Sequence, residues 1–560
     1  MASTKDGDPK DSVAHLEHTT EHYFHNVNAR LTSGCRILNP LNGLTKSELR
    51  SQVTDFCQNY GFEQKEEVFY RGALAAQHPD TYEVIEELTP EDKILLRREV
   101  THKWHLPRQL YFTIGLCSLG SAIQGWDNTG ANGANLSFPL EFGIEDSQWL
   151  IGVINSKFQL TNFKGLGMGV KISTIPVFSA EVAPAAIRGG LVTSFQLWVA
   201  FGILVGFCSN LIFYRIGPLA WRFQLAAAFV PAIPVLILVW FCPESPRWLM
   251  KKKRYQESFA SFCKLRNSEM QAARDLYYAH RQVAEEHQAF AGVSLGTRVK
   301  ELFTVPRIRR ATVASAWIVI SQQFSGINIM AFYSSTIFQN AGYSTRDTLL
   351  ASLGFGAVTF LFAFPAVYTM DTFGRRNLLL LTFPNMAICL LAAGLCFLLP
   401  GSSDARIPLI ALFIYLFSAL YGPGIGPMPS IYFSEAFPLS HREIGAAFTI
   451  CVNNAVGSAL GLTFPSLLAR IGATGAFGFY AGLNILAWIV IFFIIPETKQ
   501  RTLEELDYIF GVPTRRHAAY QVRTWLPWFV KRYLFFQRNA KLRPFYSDEL
   551  SSGESLYVHA

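Results

Sequence analysis

The chain has 560 residues, half of them apolar, 14% aromatic and only 16% charged, with a formal net charge of +8. That balance excludes an ordinary soluble protein of this length. The nine cysteines form no Cys-x-x-Cys pair, against a disulfide framework or zinc site, and the cations cluster beside apolar runs, against nucleic-acid binding.

Residues 1–108 are polar and have no short apolar core near Met1, so no cleavable signal peptide is expected. Within them LTPEDKILLRREVTHKWHLPRQL (88–110) predicts a helix starting at Pro90, with Glu91 and Asp92 in its first turn. Long apolar runs then recur at 111–126, 189–214, 223–242, 311–338, 348–370, 377–400, 407–432, 446–468 and 472–496. Most reach the ~20 residues that cross a ~30 Å hydrocarbon core. Lipid cannot pair backbone groups, so these runs are read as helices. The sequon Asn135-Leu136-Ser137 follows the first run and is expected to face outward. Residues 152–174 carry Asn155, Lys157, Gln159, Asn162, Lys164 and Lys171, too many polar groups for a lipid-facing helix. Lys251–Arg254, Arg375-Arg376 and Lys531-Arg532 mark cytoplasmic segments under the positive-inside rule.

The chain repeats itself. EVAPAAIRGG (181–190) and EAFPLSHREIG (435–445) share E-x-x-P-x-x-x-R, so that Glu181 answers to Glu435, Pro184 to Pro438 and Arg188 to Arg442. Pro243-Glu244-Ser245 and Pro496-Glu497-Thr498 each close an apolar run at nearly the same offset. The reading is a tandem duplication of a membrane unit. The starts of the halves break that offset. Gln124–Gly130 answers to Gln322–Asn328, but the interval from Asp127 to Glu181 is half that from Asn328 to Glu435. The front half is short by roughly fifty residues, enough for two spanning helices. Trp149–Ile154 reads as the beginning of a second helix and Gly165–Gly169 as the latter part of a fourth. Divergence of the halves is the alternative.

PESPRWL (243–249), DTFGRR (371–376), QQFSGIN (322–328), EVAPAAIRGG and PETKQRTLEEL (496–506) together resemble the sugar porter branch of the major facilitator superfamily, its fungal members in particular. The resemblance spans residues 109–506 apart from the gap. It implies an all-α membrane protein with the two-bundle fold, here with about ten spanning helices instead of twelve. It further implies a sugar or polyol substrate, alternating access and, often, proton symport. The expected division is 1–108 N-terminal region, 109–242 first bundle, 243–308 linker, 309–496 second bundle and 497–560 tail. Both termini are expected in the cytoplasm, with the plasma membrane as the location and lipid as a partner. No cofactor is implied. The sequence holds no nucleophile–base motif, Walker A loop or metal cluster, so no enzyme is expected.

Asp127 is a carboxylate within a span, which needs a cavity, a partner or a proton. The family's coupling position falls here, but its basic partner on the fourth helix is matched by Thr161, with Lys164 nearby. Gln322, Gln323 and Asn328 offer donors and acceptors suited to hydroxyls, with Gly326 positioned to break the helix between them. The resemblance assigns these three to the sugar site, together with Gln196, Asn453 and Asn454. Interhelical hydrogen bonding is the alternative role. It assigns Glu181, Arg188, Glu244, Arg375, Arg376, Glu435, Arg442 and Glu497 to a charge latch between the bundles. Gly422 and Ser430 depart from the glucose carriers and suggest a different substrate. No robust uptake is expected from this chain. A non-transporting sugar sensor or regulator is the alternative function.

Overall fold

The computed structural model describes residues 39–537 except 40, 42, 80, 161–164, 290–293, 401–402, 439–440, 500–505, 507–508 and 536. Three short helices come first. Thr45 and Glu48 form a capping box that starts α1 (Lys46–Tyr60), and Gly61 ends it in the left-handed region at φ 75°. α2 is Glu66–Gln77. α3, Pro90–Thr101, starts at the proline read from the sequence, with Thr89 and Asp92 as its capping box.

The first membrane half follows as α4 (Arg108–Ala134), α5 (Gln148–Leu160), α6 (Gly165–Val182), α7 (Ala185–Phe213) and α8 (Ala220–Phe241). The linker holds α9 (Tyr255–Leu265) and α10 (Glu269–Ala289). The second half comprises α11 (Pro306–Phe324), α12 (Ile327–Asn340), α13 (Thr345–Leu361), α14 (Ala366–Phe373), α15 (Arg375–Cys396), α16 (Arg406–Tyr421), α17 (Met428–Ala436) and α18 (Arg442–Ile494). Gly472, at φ 69° and ψ 177°, divides α18 into two passes. The tail helix α19 starts at Thr514 and runs on through π-type turns to Leu534.

Four described helical stretches are long and apolar enough to cross a membrane: Ser194–Gly217, Ala220–Phe241, Arg375–Cys396 and Arg442–Ile494. We call the face bearing α1–α3 and the linker the near face. α5 lies toward the far face, where Asn155 donates to Asn135 at 2.9 Å. α6 ends at the near face, where the Val182 carbonyl accepts from Arg266 of the linker at 2.8 Å.

The N-terminal helices were divided from the linker in the sequence reading, yet they share one core. Phe56, Phe62 and Phe69 pack with Tyr255, Phe259, Phe262 and Tyr277 of α9 and α10. Partly buried ion pairs fasten this unit: Arg274 holds Glu99 with two bonds of 2.9 and 3.0 Å, and Arg266 holds Asp275 at 2.6 Å. The second Arg266 bond, to Val182, ties the unit to the end of α6.

His280 lies inside this unit, its ring 4.8 Å from Phe56 and its Nδ1 2.9 Å from the Tyr255 hydroxyl. Burial, then the charge of Arg281, push its pKa down from 6.5 to about 4. A depressed histidine pKa gives stability that is intact above the unfolded value and is lost as pH falls through the folded one. A shift of this size is worth roughly 3 kcal/mol. Hydrogen exchange is expected to show α1 and α10 losing protection between pH 6.5 and 4, with a much flatter profile in His280→Phe. Superimposable profiles would remove His280 as the titrating group.

In the first half, α4 and α7 meet at backbone distance. A Cβ at Gly125 would collide with the Val199 carbonyl, and one at Gly202 with the Ala122 carbonyl. Gly202 and Gly206 stand four apart on α7, the spacing that lets two membrane helices touch. One continuous core runs through the second half; Val199, Ile203 and Phe207 of the first half are buried in it, and Ile151 and Phe195 pack against it. The other buried clusters around α4, α6 and α7 hold three residues each, Leu110–Val182–Leu265 and Ala183–Ile187–Leu191.

Candidate functional site

α11 stops at Phe324 and α12 restarts at Ile327, with Gly326 between them at φ 88°. Only glycine enters that region without penalty. A backbone broken inside a membrane must have its freed groups paired. Asn484 does this: fully buried on α18, it donates to the Phe324 and Ser325 carbonyls at 3.2 and 3.3 Å.

The break folds Asn328 back onto α11. Asn328 Nδ2 donates to Gln323 Oε1 at 2.8 Å, and Gln323 Nε2 donates to Asn453 Oδ1 at 2.7 Å. Three amides from α11, α12 and α18 thus form a chain, with Gln323 its most buried member at 5% exposure. Gln322 turns the other way, donating to the Tyr421 hydroxyl at 3.2 Å and the Gly426 carbonyl at 3.1 Å. Each amide is both donor and acceptor, so the chain can exchange its internal bonds for solute hydroxyls. Gln196 and Asn454 are half-buried and take no part in it. Asp127 is half-buried on α4 and has a bonding partner. Thr161 and Lys164 lie outside the described residues.

One turn beyond Asn328, α4 closes against α12. Asn132 Nδ2 donates to the Ala331 carbonyl and to Ser334 Oγ, both at 2.9 Å, and Ser335 Oγ donates to the Asn132 carbonyl. Asn135 Nδ2 donates to the Phe332 carbonyl at 2.9 Å. Asn135 was read as a glycan acceptor. Here its amide nitrogen is already bonded across the joint, so the sequon serves as a clasp at the far face.

The charged motifs gather at the near face and, in this conformation, fasten helices within a half. Arg375 pairs with Glu435 at 2.9 Å. Glu497 accepts the backbone N–H groups of Arg375 and Arg376 at 2.8 and 3.0 Å, where α15 has orphan donors. Arg376 lies over the Phe492 ring. Glu181 accepts from Ser245, Glu244 is exposed and Arg442 is partnered. The Arg188 side chain lies outside the described residues. Lys251 approaches Glu443 at 3.6 Å and joins the end of the first half to the start of α18. Gly422 proves to be a packing position, because a Cβ there would meet the Phe362 carbonyl. Ser430 bonds locally to the Pro427 carbonyl.

Asn132, Tyr421 and Asn484 were not singled out in the sequence. Asn484 carried a usable signal, a lone amide within an apolar run.

Two helical halves, a membrane helix broken at its middle and exchangeable amides beside the break define a carrier of small polar solutes. The chain belongs to the sugar (and other) transporter family, whose profile matches residues 157–510. It is 35% identical over 364 residues to a putative polyol transporter of Arabidopsis thaliana, covering 62% of this chain and 71% of that one. It is 33% identical over 349 residues to the arabinose–proton symporter of Escherichia coli, covering 61% and 71%. The fold matches a partially occluded inward-open structure of the E. coli xylose transporter XylE with a TM-score of 0.57, at 21% identity, over 70% of this chain and 99% of that one. These relatives are carriers, not enzymes, and the chain is a multi-pass all-α membrane protein of the major facilitator fold.

Proposed function

We propose that the chain binds a sugar or polyol at the Gln323–Asn328–Asn453 chain and presents it by alternating access. The amide chain beside the Gly326 break is the observation that carries this reading. Gln322, Gln196 and Asn454 complete the substrate contacts, and Asp127 is the group that would carry a proton. The near face is cytoplasmic and the chain is a plasma-membrane protein of the fungal type. Glu181, Arg188, Glu244, Arg375, Arg376, Glu435, Arg442 and Glu497 exchange partners as the halves rock. The first half lacks its second and third helices, α5 and α6 being the remains of the second and fourth; the interval from Asp127 to Glu181, half that from Asn328 to Glu435, supports this. Transport is therefore weak.

The test pairs binding with uptake. Titration of the purified chain with pentoses, hexoses and polyols is expected to give saturable quenching of its tryptophans for at least one of them. Gln323→Leu is expected to weaken that binding by roughly tenfold or more, the scale of a lost pair of hydrogen bonds. No binding across the panel removes the substrate reading. Uptake in transporter-deficient cells as fast as that of a twelve-helix relative removes the impairment. A sensor is the second reading, favoured by the N-terminal helices that dock on the linker; binding with a signalling phenotype and no uptake selects it.

A further inference from the structure

A cavity lies away from the amide chain, at the start of α11 and the end of α18. It has a volume of about 320 Å³. One wall is apolar, from Val313, Ile494 and Phe510; the other is polar, from Arg309, Thr514 and Arg515. Arg310 also lines it, but already donates to the Phe510 and Gly511 carbonyls. Arg309 and Arg515 are exposed, and among the described residues neither is in an ion pair. Val313 is 41% exposed, so the apolar wall opens sideways to the lipid.

The tail that forms the outer rim suits a membrane surface. Between Asp507 and Asp548 the sequence has no acidic residue, while Arg515, Arg516, Arg523, Lys531 and Arg532 are all basic. Val522, Leu526 and Phe529 recur at helical spacing and are exposed. Trp525 is anchored beneath the Arg376 guanidinium, 5.5 Å from ring centre to charge. An apolar stripe flanked by cations is the pattern of a helix lying in the headgroup layer. A basic pocket at the same depth matches a phosphorylated headgroup with its acyl chain leaving along the apolar wall.

We propose that this cavity is a binding site for an anionic phospholipid, with Arg309 and Arg515 on the headgroup phosphate and the Val313–Ile494 wall against the acyl chain. The shared chemistry, a phosphate on two guanidinium groups, could also recruit a free anion, and the experiment separates the two. The full chain in neutral detergent is titrated with fluorescent short-chain phosphatidylinositol 4-phosphate and read by anisotropy. Saturable binding is expected, displaced by unlabelled phosphatidylinositol 4-phosphate but not by phosphatidylcholine or by inorganic phosphate at equal concentration. Arg309→Gln/Arg515→Gln is expected to weaken binding at least about tenfold, the scale of two interfacial cations. Arg515→Gln alone, on the exposed tail, keeps the test valid if the double variant misfolds, and should lose several-fold. Unchanged affinity in a folded variant overturns the site. Displacement by phosphatidylcholine overturns the anionic selectivity, and equal displacement by inorganic phosphate overturns the lipid.

Discussion

Gly202→Val is expected to abolish recovery of monodisperse protein in detergent. The added branches have nowhere to go, because the Ala122 carbonyl occupies the place of even the first carbon. Overpacking commonly costs about 1–3 kcal/mol when neighbours can shift. Here the obstacle is backbone on a helix that is itself held close at Gly125 and Val199, so the two helices must part along the seam. About 3 kcal/mol or more is expected. Gly115→Val on α4 is the control, since no atom lies within contact distance of a Cβ there. Size-exclusion profiles of the two variants decide it: a Gly202→Val peak like the parent's would mean that the seam does not hold the first half together.

Arg375→Ala is expected to lower the thermal midpoint nearly as severely. The guanidinium is buried, with its side chain 9% exposed, and its pairing with Glu435 compensates the desolvation of both charges. Removing one partner leaves the other charged in a poor solvent, which typically costs about 3–5 kcal/mol. Adding Glu435→Gln to Arg375→Ala removes the stranded charge and should recover much of the loss. The measurement is a double-mutant cycle of midpoints. If the second substitution fails to help, the loss comes from packing or from the Arg375 bond to the Met370 carbonyl, not from the carboxylate.

Much of this architecture was legible. The repeated E-x-x-P-x-x-x-R marked two halves, and the long apolar runs marked them as helical. Gln323 and Asn328 stand five apart, an awkward spacing on one helix, and Gly326 was the clue that the helix stops between them. What escaped was non-local. Phe56 and Phe69 meet Phe259 and Tyr277 across nearly two hundred residues, and neither partner alone has enough apolar surface to announce a core. Polar residues in α4 were legible as polar but not in role. Asn135 matched a surface sequon, whereas its amide finds a carbonyl on α12, and only the approach of two distant helices distinguishes those outcomes. The charged motifs were legible as near-face residues. Their partners were not, because Glu497 reaches backbone N–H groups that have no sequence signature.

The clasp between α4 and α12 has a lopsided chemistry. Asn132 and Asn135 reach across with side chains, yet at positions 331 and 332 they are met by main chain. Peptide oxygens are common to every amino acid, so at those two positions the receiving helix is free to vary its residues without changing what it offers. The doorway's remaining bonds use the side chains of Ser334 and Ser335, so among related sequences positions 331 and 332 should be freer to drift in what the clasp asks of them than 334 and 335.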